Sequence, residues 1–273
     1  MPPAEQFTFY DQHPFDWAGT QASANIRDVV SPLLVELIES IPSDSLVFDV
    51  GCGPGRVLAF LAQRRLNCFG LDRSRVSLDL ATERCDRPCA VADNLQLPIA
   101  TATVDVVISD GVIHHTENPQ GAFLENLRIL KPGGKMYLSV YKPSGRYPLL
   151  YRFPGTCFRS GLLHAWSKPL VVAFGEFPYF LVHFVRSHGQ RTWTGAQNLF
   201  FDYFVTPRVA FLSRALVERW AESEGAFVLR YDENRGANVH SFLFQKAAVS
   251  RATRVEAPDA ASVENMNLSQ GPS

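Results

Sequence analysis

The seven residues Asp49-Val50-Gly51-Cys52-Gly53-Pro54-Gly55 constrain this chain more than any other stretch. They close the run Leu46-Val47-Phe48-Asp49-Val50, which is short and apolar enough to be a strand buried on both faces. They also open the segment Arg56 to Arg65, where Val57, Leu58, Leu61 and Ala62 share a helical face. Glycines between a strand and a helix let the backbone turn sharply and approach a ligand, while the helix start offers free N–H groups. A dinucleotide fingerprint, G-x-G-x-x-G, needs its third glycine where Arg56 stands, so that ligand class is not indicated. The spacing present is acid-x-G-x-G-x-G. A carboxylate beside the loop repels a pyrophosphate and suits a ligand that carries an ammonium group.

Two more acids follow at strand ends. Asp72 closes a second strand, Cys68 to Leu71, where a carboxylate can accept both hydroxyls of a ribose. Asp93 follows a third strand, Ala90 to Ala92, where it can take an amino hydrogen from an adenine. Asp49, Asp72 and Asp93 are thus expected to converge on one pocket, and together they describe an adenosine with an amino-acid tail. S-adenosyl-L-methionine fits that description.

The stretches VFDVGCGPG, GLDRS, ADNLQLPI, VDVVISDGVIHH and LKPGG, in that order over about Leu46 to Tyr141, resemble class I S-adenosylmethionine-dependent methyltransferases, and within them the ubiquinone/menaquinone-methylase-like branch. The resemblance implies that Asp49, Gly51, Cys52, Gly53 and Gly55 hold the methionine part of the cofactor and Asp72 the ribose. It gives Asp93, Asn94 and Leu95 the adenine, and makes Ser109 to Val112 the edge of the site. Arg73 is kept among the cofactor contacts although, like Arg75, its simplest reading is a solvated cation. The family also implies a seven-stranded sheet whose last strand runs antiparallel.

The remaining pattern agrees with an α/β fold: a doubly wound, mostly parallel seven-stranded sheet of Rossmann-like methyltransferase type, with an aromatic-rich helical insertion after strand 5. Ser31-Pro32 reads as a cap and first turn. Ser74 caps a helix expected to turn Val76 and Leu80 inward, Val104 to Ile108 is a fourth strand, and Asn118-Pro119 starts a helix that Lys131-Pro132-Gly133-Gly134 stops. Lys135 to Tyr141 is the fifth strand. After Ser213 to Glu224, a helix, Ala226 to Tyr231 and Val239 to Gln245 follow as two strands without a helix between them, which argues for an antiparallel pairing. The division expected is 1–45 for an N-terminal lid and first helix, 46–141 and 206–248 for the cofactor-binding core, 142–205 for an inserted substrate cap, and 249–273 for a disordered tail.

Length and composition set outer limits. The 273 residues suit one domain with an elaboration, and 46% hydrophobic with 19% charged residues is a globular composition. A net charge of -1 argues against a general polyanion binder, so nucleic acid is not expected as a partner. Five cysteines without paired C-x-x-C spacing indicate neither a disulfide framework nor a zinc site, and the default is a reducing cytoplasm. The opening MPPAEQFTFYDQHPFDW lacks the basic start and apolar run of a secretory signal. Leu162 to Val185 is the most apolar stretch, but His164, Lys168, Glu176, His183, Pro169 and Pro178 interrupt it, and no membrane span is expected.

The insertion is unusual. Residues 141 to 204 hold 16 of the chain's 32 aromatics, and between Lys142 and Arg191 seven Lys/Arg face a single acid, Glu176. Such a segment can form a helical subdomain with an aromatic core, enclose a greasy acceptor, lie on an anionic membrane surface, or stack on nucleic acid. At the other end, Phe9, Tyr10, Phe15 and Trp17 can close over the cofactor or serve as a plain hydrophobic anchor.

Methyl transfer from a sulfonium is an in-line displacement that needs alignment and exclusion of water more than a nucleophile from the protein. His114 and His115, after the fourth strand, are candidate bases for a hydroxyl or acidic carbon, and Asp110 a candidate positioning group. The reading is transfer to a small, hydrophobic or lipid-like acceptor, by O- or C-methylation, with peripheral contact to an anionic membrane through residues 142–191 as a further expectation. The alternatives are an RNA-modifying enzyme, since Val112-Ile113-His114-His115 also resembles some wobble-uridine enzymes, and a non-catalytic scaffold on the same fold.

Overall fold

The structure, a computed structural model, describes residues 9–15, 30–159, 168–186, 193–235 and 237–248. The expected tail at 249–273, Trp17, and part of the insertion lie outside the described residues. Helix α1 (Pro32–Ser40) precedes β1 (Leu46–Val50), α2 (Arg56–Gln63), β2 (Asn67–Asp72), α3 (Arg75–Cys85), β3 (Cys89–Val91) and β4 (Val104–Asp110). A 3-10 turn (Ile113–His115) leads into α4 (Pro119–Ile129) and β5 (Leu130–Tyr141). The insertion supplies α5 (Tyr147–Arg152), α6 (Pro154–Arg159), α7 (Lys168–Arg186), α8 (Trp193–Phe200) and a π turn (Phe201–Val205), after which α9 (Arg214–Ser223), β6 (Ala226–Asp232) and β7 (Val239–Lys246) complete the fold.

The seven strands form one sheet in the order β3-β2-β1-β4-β5-β7-β6. β7 pairs antiparallel with both β5 and β6, and the other pairings are parallel. The continuous apolar runs arise because alternate residues enter two separate cores. Val107 and Met136 pack on one face with Phe123 of α4 and Trp220 of α9, whereas Val47, Val106, Ile108 and Tyr137 pack on the other with Leu34 of α1 and Leu58 and Leu61 of α2. The strand order reverses between β1 and β4, and the carboxyl ends of strands beside such a reversal form the crevice where α/β folds bind ligands.

Helix ends follow local chemistry. Ser31, Ser74, Asn118 and Ser213 each accept a backbone N–H from the first turn of the helix they precede. α4 ends at Ile129, and Leu130 turns extended, so the chain enters β5 through Lys131-Pro132-Gly133-Gly134. The expected inward face of α3 needs correction. Val76 is 42% exposed, and Ser77, Leu78 and Ala81 are the buried residues. The helix meets the glycine loop at Ala81, where a Cβ on Gly55 would stand 2.9 Å from the Ala81 Cβ, so a small residue is needed at that one point of contact.

The insertion builds its own aromatic packing. Tyr141, Tyr147 and Tyr151 form a third buried cluster with Tyr203 and Phe211, and Phe158, Tyr179, Phe200 and Phe204 meet edge-on or tilted around it. Among the described residues, no helix is long and apolar enough to cross a membrane.

Candidate functional site

One cavity of about 790 Å³ opens at the carboxyl ends of β1, β2 and β4. Its walls come from the glycine loop (Gly51, Cys52, Gly53, Pro54), the end of β2 (Asp72, Arg73, Ser74), the turn after β4 (Asp110, Gly111, Val112, His115), and from Tyr141, Asp202 and Arg235. Gly51, Gly53 and Gly55 adopt φ of +79°, +51° and +81°, the left-handed backbone that favours glycine. A Cβ on Gly51 would land inside the Val112 side chain, so this glycine also lets the β4 turn close on the loop. Gly55 precedes α2 as its cap and lies outside the cavity lining.

Asp49 is buried beneath the loop, and its Oδ2 has no hydrogen-bond partner. Burial, reinforced by the nearby charge of Asp110, raises its carboxyl to about 8. An orphaned buried acceptor is what a ligand ammonium would satisfy. Asp72 lines the cavity, but as a brace of the loop: Oδ2 accepts the Gly53 N–H and Oδ1 the Ser74 N–H, each at 2.8 Å. Burial raises its pKa while these N–H groups oppose the rise. Cys52 lines the cavity between the two glycines.

The expected convergence of three acids on the cavity is corrected at two of them: Asp49 lies buried beneath the loop and is not among the lining residues, and Asp93 is turned away, so of the three Asp72 lines the cavity. The Asp93 side chain is 41% exposed, accepts the Leu95 N–H at 3.0 Å and lies 3.6 Å from Arg73, so it caps a turn and does not face the cavity. Its neighbour Asn94 does, and both polar atoms of that buried amide are unpartnered. Ala92 and Leu97 supply apolar wall beside Asn94. Leu95 is half-buried against the core and Arg73 lines the cavity. Ser109 is fully buried, with its hydroxyl unpartnered and outside the lining.

The candidate bases divide. His114 is fully buried, with its ring 4.0 Å from that of Tyr141 and neither nitrogen hydrogen-bonded. It stands outside the lining, and burial holds its pKa well below the usual imidazole range. It is corrected to a packed neutral ring. His115 lines the cavity, and its Nδ1 lies 2.9 Å from the Arg208 carbonyl, so that nitrogen carries the proton and Nε2 the lone pair. Burial lowers its pKa to about 4. Asp110 lines the cavity in an ion pair with Arg56 at 2.7 Å.

Sequence reasoning missed Asp202. It sits on the π turn at the end of the insertion, is 9% exposed, and accepts the Tyr141 hydroxyl at 2.5 Å on Oδ2, while the Tyr147 hydroxyl donates to its backbone carbonyl at 2.9 Å. Burial raises its carboxyl to about 7. The signal available was a lone acid within an aromatic run, Phe200-Phe201-Asp202-Tyr203-Phe204. Among the described residues of the insertion, Asp202 is the one that lines the cavity. At the other end of the chain, Tyr10 and Phe15 line the cavity, His13 stacks on Phe201 at 4.0 Å, and Asp11 accepts the Ser74 hydroxyl at 2.6 Å.

Sheet order, glycine loop and acid-lined crevice define a class I S-adenosylmethionine-dependent methyltransferase domain, with S-adenosyl-L-methionine as its cofactor. Residues 48–138 match the family described as Methyltransferase domain. Over 127 residues, 45% of this chain and 19% of the relative, the sequence is 36% identical to the tRNA (carboxymethyluridine(34)-5-O)-methyltransferase ALKBH8 of Macaca fascicularis. It is 34% identical over 115 residues, 40% of this chain, to the tRNA (carboxymethyluridine(34)-5-O)-methyltransferase of Arabidopsis thaliana, 27% of whose length is matched. The chain thus spans less than a third of the length of these curated relatives. Among solved structures it is similar in fold to magnesium protoporphyrin IX methyltransferase from Synechocystis PCC 6803, with a TM-score of 0.59, 15% identity, and 90% of this chain and 100% of that chain covered. These relatives carry RNA-modifying names, and the expectation that nucleic acid is not a partner is overturned by them. Net charge misled because it averages over the whole chain, whereas nucleic-acid contact depends on local cations.

Proposed function

We propose that this protein transfers the methyl group of S-adenosyl-L-methionine to an oxygen on an RNA nucleoside, with a carboxylate oxygen as the acceptor. The likeness to tRNA methyltransferases named for a carboxymethyluridine carries this reading. The cofactor supplies a methyl group already activated on a sulfonium. Asp49 takes the ligand's ammonium on its unpartnered oxygen, and the glycine loop places its backbone against the amino-acid tail. Asp72 has lone pairs left for the ribose hydroxyls after accepting two N–H groups, and Asn94 offers donor and acceptor to the adenine edge.

The acceptor enters beside Asp110, His115, Tyr141 and Asp202. A cavity of about 790 Å³ has room for an extruded base next to a nucleoside cofactor. A carboxylate is ionised at neutral pH and needs no base, which suits a site whose imidazole, His115, is held neutral and only weakly basic. His115 then accepts a hydrogen bond through Nε2, and Asp110 holds Arg56 in place rather than removing a proton. Arg73, Arg84 and Arg235 line the cavity as cations that face a phosphate backbone.

The test is transfer of labelled methyl from the cofactor to total tRNA and to a cell extract separated into lipid, RNA and small molecules. Label is expected in RNA, and mild alkali should release it as methanol because the methyl sits in an ester. Label confined to lipid or small molecules overturns the RNA reading, and alkali-stable label in RNA overturns the carboxylate acceptor.

A further inference from the structure

Four of the five cysteines, although far apart in sequence and on four different elements, come together behind the glycine loop. Cys52 lies in the loop, Cys68 in β2, Cys85 at the end of α3 and Cys89 at the start of β3. Cys89 acts electrostatically on each of the other three and raises their thiols. Among the described residues, no group of three or more His, Cys, Asp or Glu is arranged to hold a metal ion.

Within this cluster Cys52 and Cys89 both reach the space beside Gly70. Gly70 sits in β2 directly opposite Cys89 of β3, and the next residue, Leu71, accepts the backbone N–H of Cys52. A Cβ on Gly70 would stand 2.8 Å from the Cys52 sulfur and 3.0 Å from the Cys89 sulfur, so both thiols occupy the space that a side chain there would fill. Each thiol donates weakly to a nearby carbonyl, Cys52 to Gly53 at 3.6 Å and Cys89 to Arg87 at 3.4 Å.

We propose that Cys52 and Cys89 form an oxidisable dithiol, a modification site at which a peroxide-class oxidant closes a disulfide that ties the glycine loop to β3 and weakens cofactor binding. Cys89 is half-buried and Cys52 buried, so Cys89 meets the oxidant first. The neighbouring Cys52 side chain lowers the Cys89 thiol below its ordinary range, which favours the thiolate there. The Cys89 thiolate attacks one peroxide oxygen, the O–O bond breaks, and a sulfenic acid and hydroxide result. The Cys52 sulfur then attacks the sulfenic sulfur. The S–S bond forms, the hydroxyl leaves with the thiol proton as water, and each cysteine sulfur has lost one electron to peroxide, which is reduced to one hydroxide and one water. A dithiol reductant reverses the step by exchange.

The consequence follows from where Cys52 lies. Its neighbours Gly51 and Gly53 hold left-handed backbone, and the Gly53 N–H is braced on Asp72. Pulling the Cys52 sulfur into a bond with β3 moves the loop between them, and the loop is the backbone that meets the cofactor.

The experiment is peptide mapping of the full chain without reduction after treatment with hydrogen peroxide, together with titration of the demethylated cofactor before and after. Mapping reads the bond without any methyl transfer, so its result stands apart from the identity of the acceptor. We expect a Cys52–Cys89 link in the wild type, kept in Cys85→Ser and lost in Cys89→Ser, with a dissociation constant raised about tenfold or more in the oxidised protein and restored by dithiothreitol. The reduced Cys89→Ser protein should bind the cofactor as the wild type does and be unaffected by peroxide. A link through Cys85 or Cys68 instead, no intramolecular link, or a link that leaves cofactor affinity unchanged overturns the proposal.

Discussion

Arg56 and Asp110 form a 2.7 Å ion pair that joins the first residue of α2 to the last residue of β4, directly beside the buried Asp49. The pair governs how Asp49 ionises, since Asp110 pushes its carboxyl up and Arg56 pulls it down. Replacing Asp110 by Asn removes the like charge and leaves the guanidinium, so Asp49 should ionise below about 8. Calorimetric titration of the demethylated cofactor between pH 6 and pH 9 should show tighter binding at the lower pH values in Asp110→Asn than in the wild type. Comparing the two proteins at each pH cancels the ligand's own titration. Identical profiles would exclude Asp49 as the ammonium-binding group.

The same carboxyl sets a stability trend. Its ordinary value is 3.8 and its folded value about 8, so the folded state holds a proton that the unfolded chain has released. Stability from this group therefore falls as pH rises from about 4 to about 8 and is flat above. Asp49→Asn should remove that slope, melt no lower than the wild type at pH 8, and bind the cofactor about 10- to 100-fold more weakly for loss of a charged hydrogen bond. Thermal melts across the pH range, with and without cofactor, check both halves.

Gly51→Ala should be severely damaging, because its new Cβ collides with Val112 and the residue holds φ of +79°. Overpacking costs about 1–3 kcal/mol and left-handed backbone roughly 1–2 kcal/mol more. Adding Val112→Ala should return the first part and leave the second, as urea unfolding would reveal. Full recovery in the double variant would mean that the backbone is not strained by the substitution.

Tyr141→Phe removes the hydroxyl that donates to Asp202 and leaves a buried carboxyl short of a partner. A loss of about 1–3 kcal/mol is expected in equilibrium unfolding at pH 8. Asp202 should also titrate higher than its present value of about 7, so the deficit should shrink as the pH falls and the carboxyl becomes neutral. A deficit independent of pH would point to lost packing instead.

His115 and His240 are lowered to about 4 and His114 is lowered well below its usual value, all chiefly by burial. The unfolded chain binds protons near 6.5 that the folded one refuses, so the stability these rings contribute is present above about pH 6.5 and lost as the pH falls toward 4. His114→Phe, which keeps a ring in a site without polar partners, should flatten that acid limb and leave methyl transfer within about twofold at pH 7.5. A collapse of activity would restore His114 as a participant in the chemistry.

The order of residues alone was enough to read the alternation of strands and helices, the caps at Ser31, Ser74, Asn118 and Ser213, and the glycine loop with Asp72 beside it. Those features are local: a cap, a turn or a run of buried apolar residues is decided by neighbours a few positions away, so its pattern is written in order. Which polar groups face the cavity depends on packing between distant segments and on the turn each residue sits in. Asp93 and Asn94 are adjacent, and the turn into Leu95 directs one outward and the other inward. His114 and His115 are likewise adjacent, and a single 3-10 turn buries the first against Tyr141 while the second reaches the Arg208 carbonyl. Asp202 and the Cys52–Cys89 pair depend on contacts between segments 61 and 37 residues apart, whose meeting is set by how the sheet and the insertion close on each other and leaves no periodic trace in the chain.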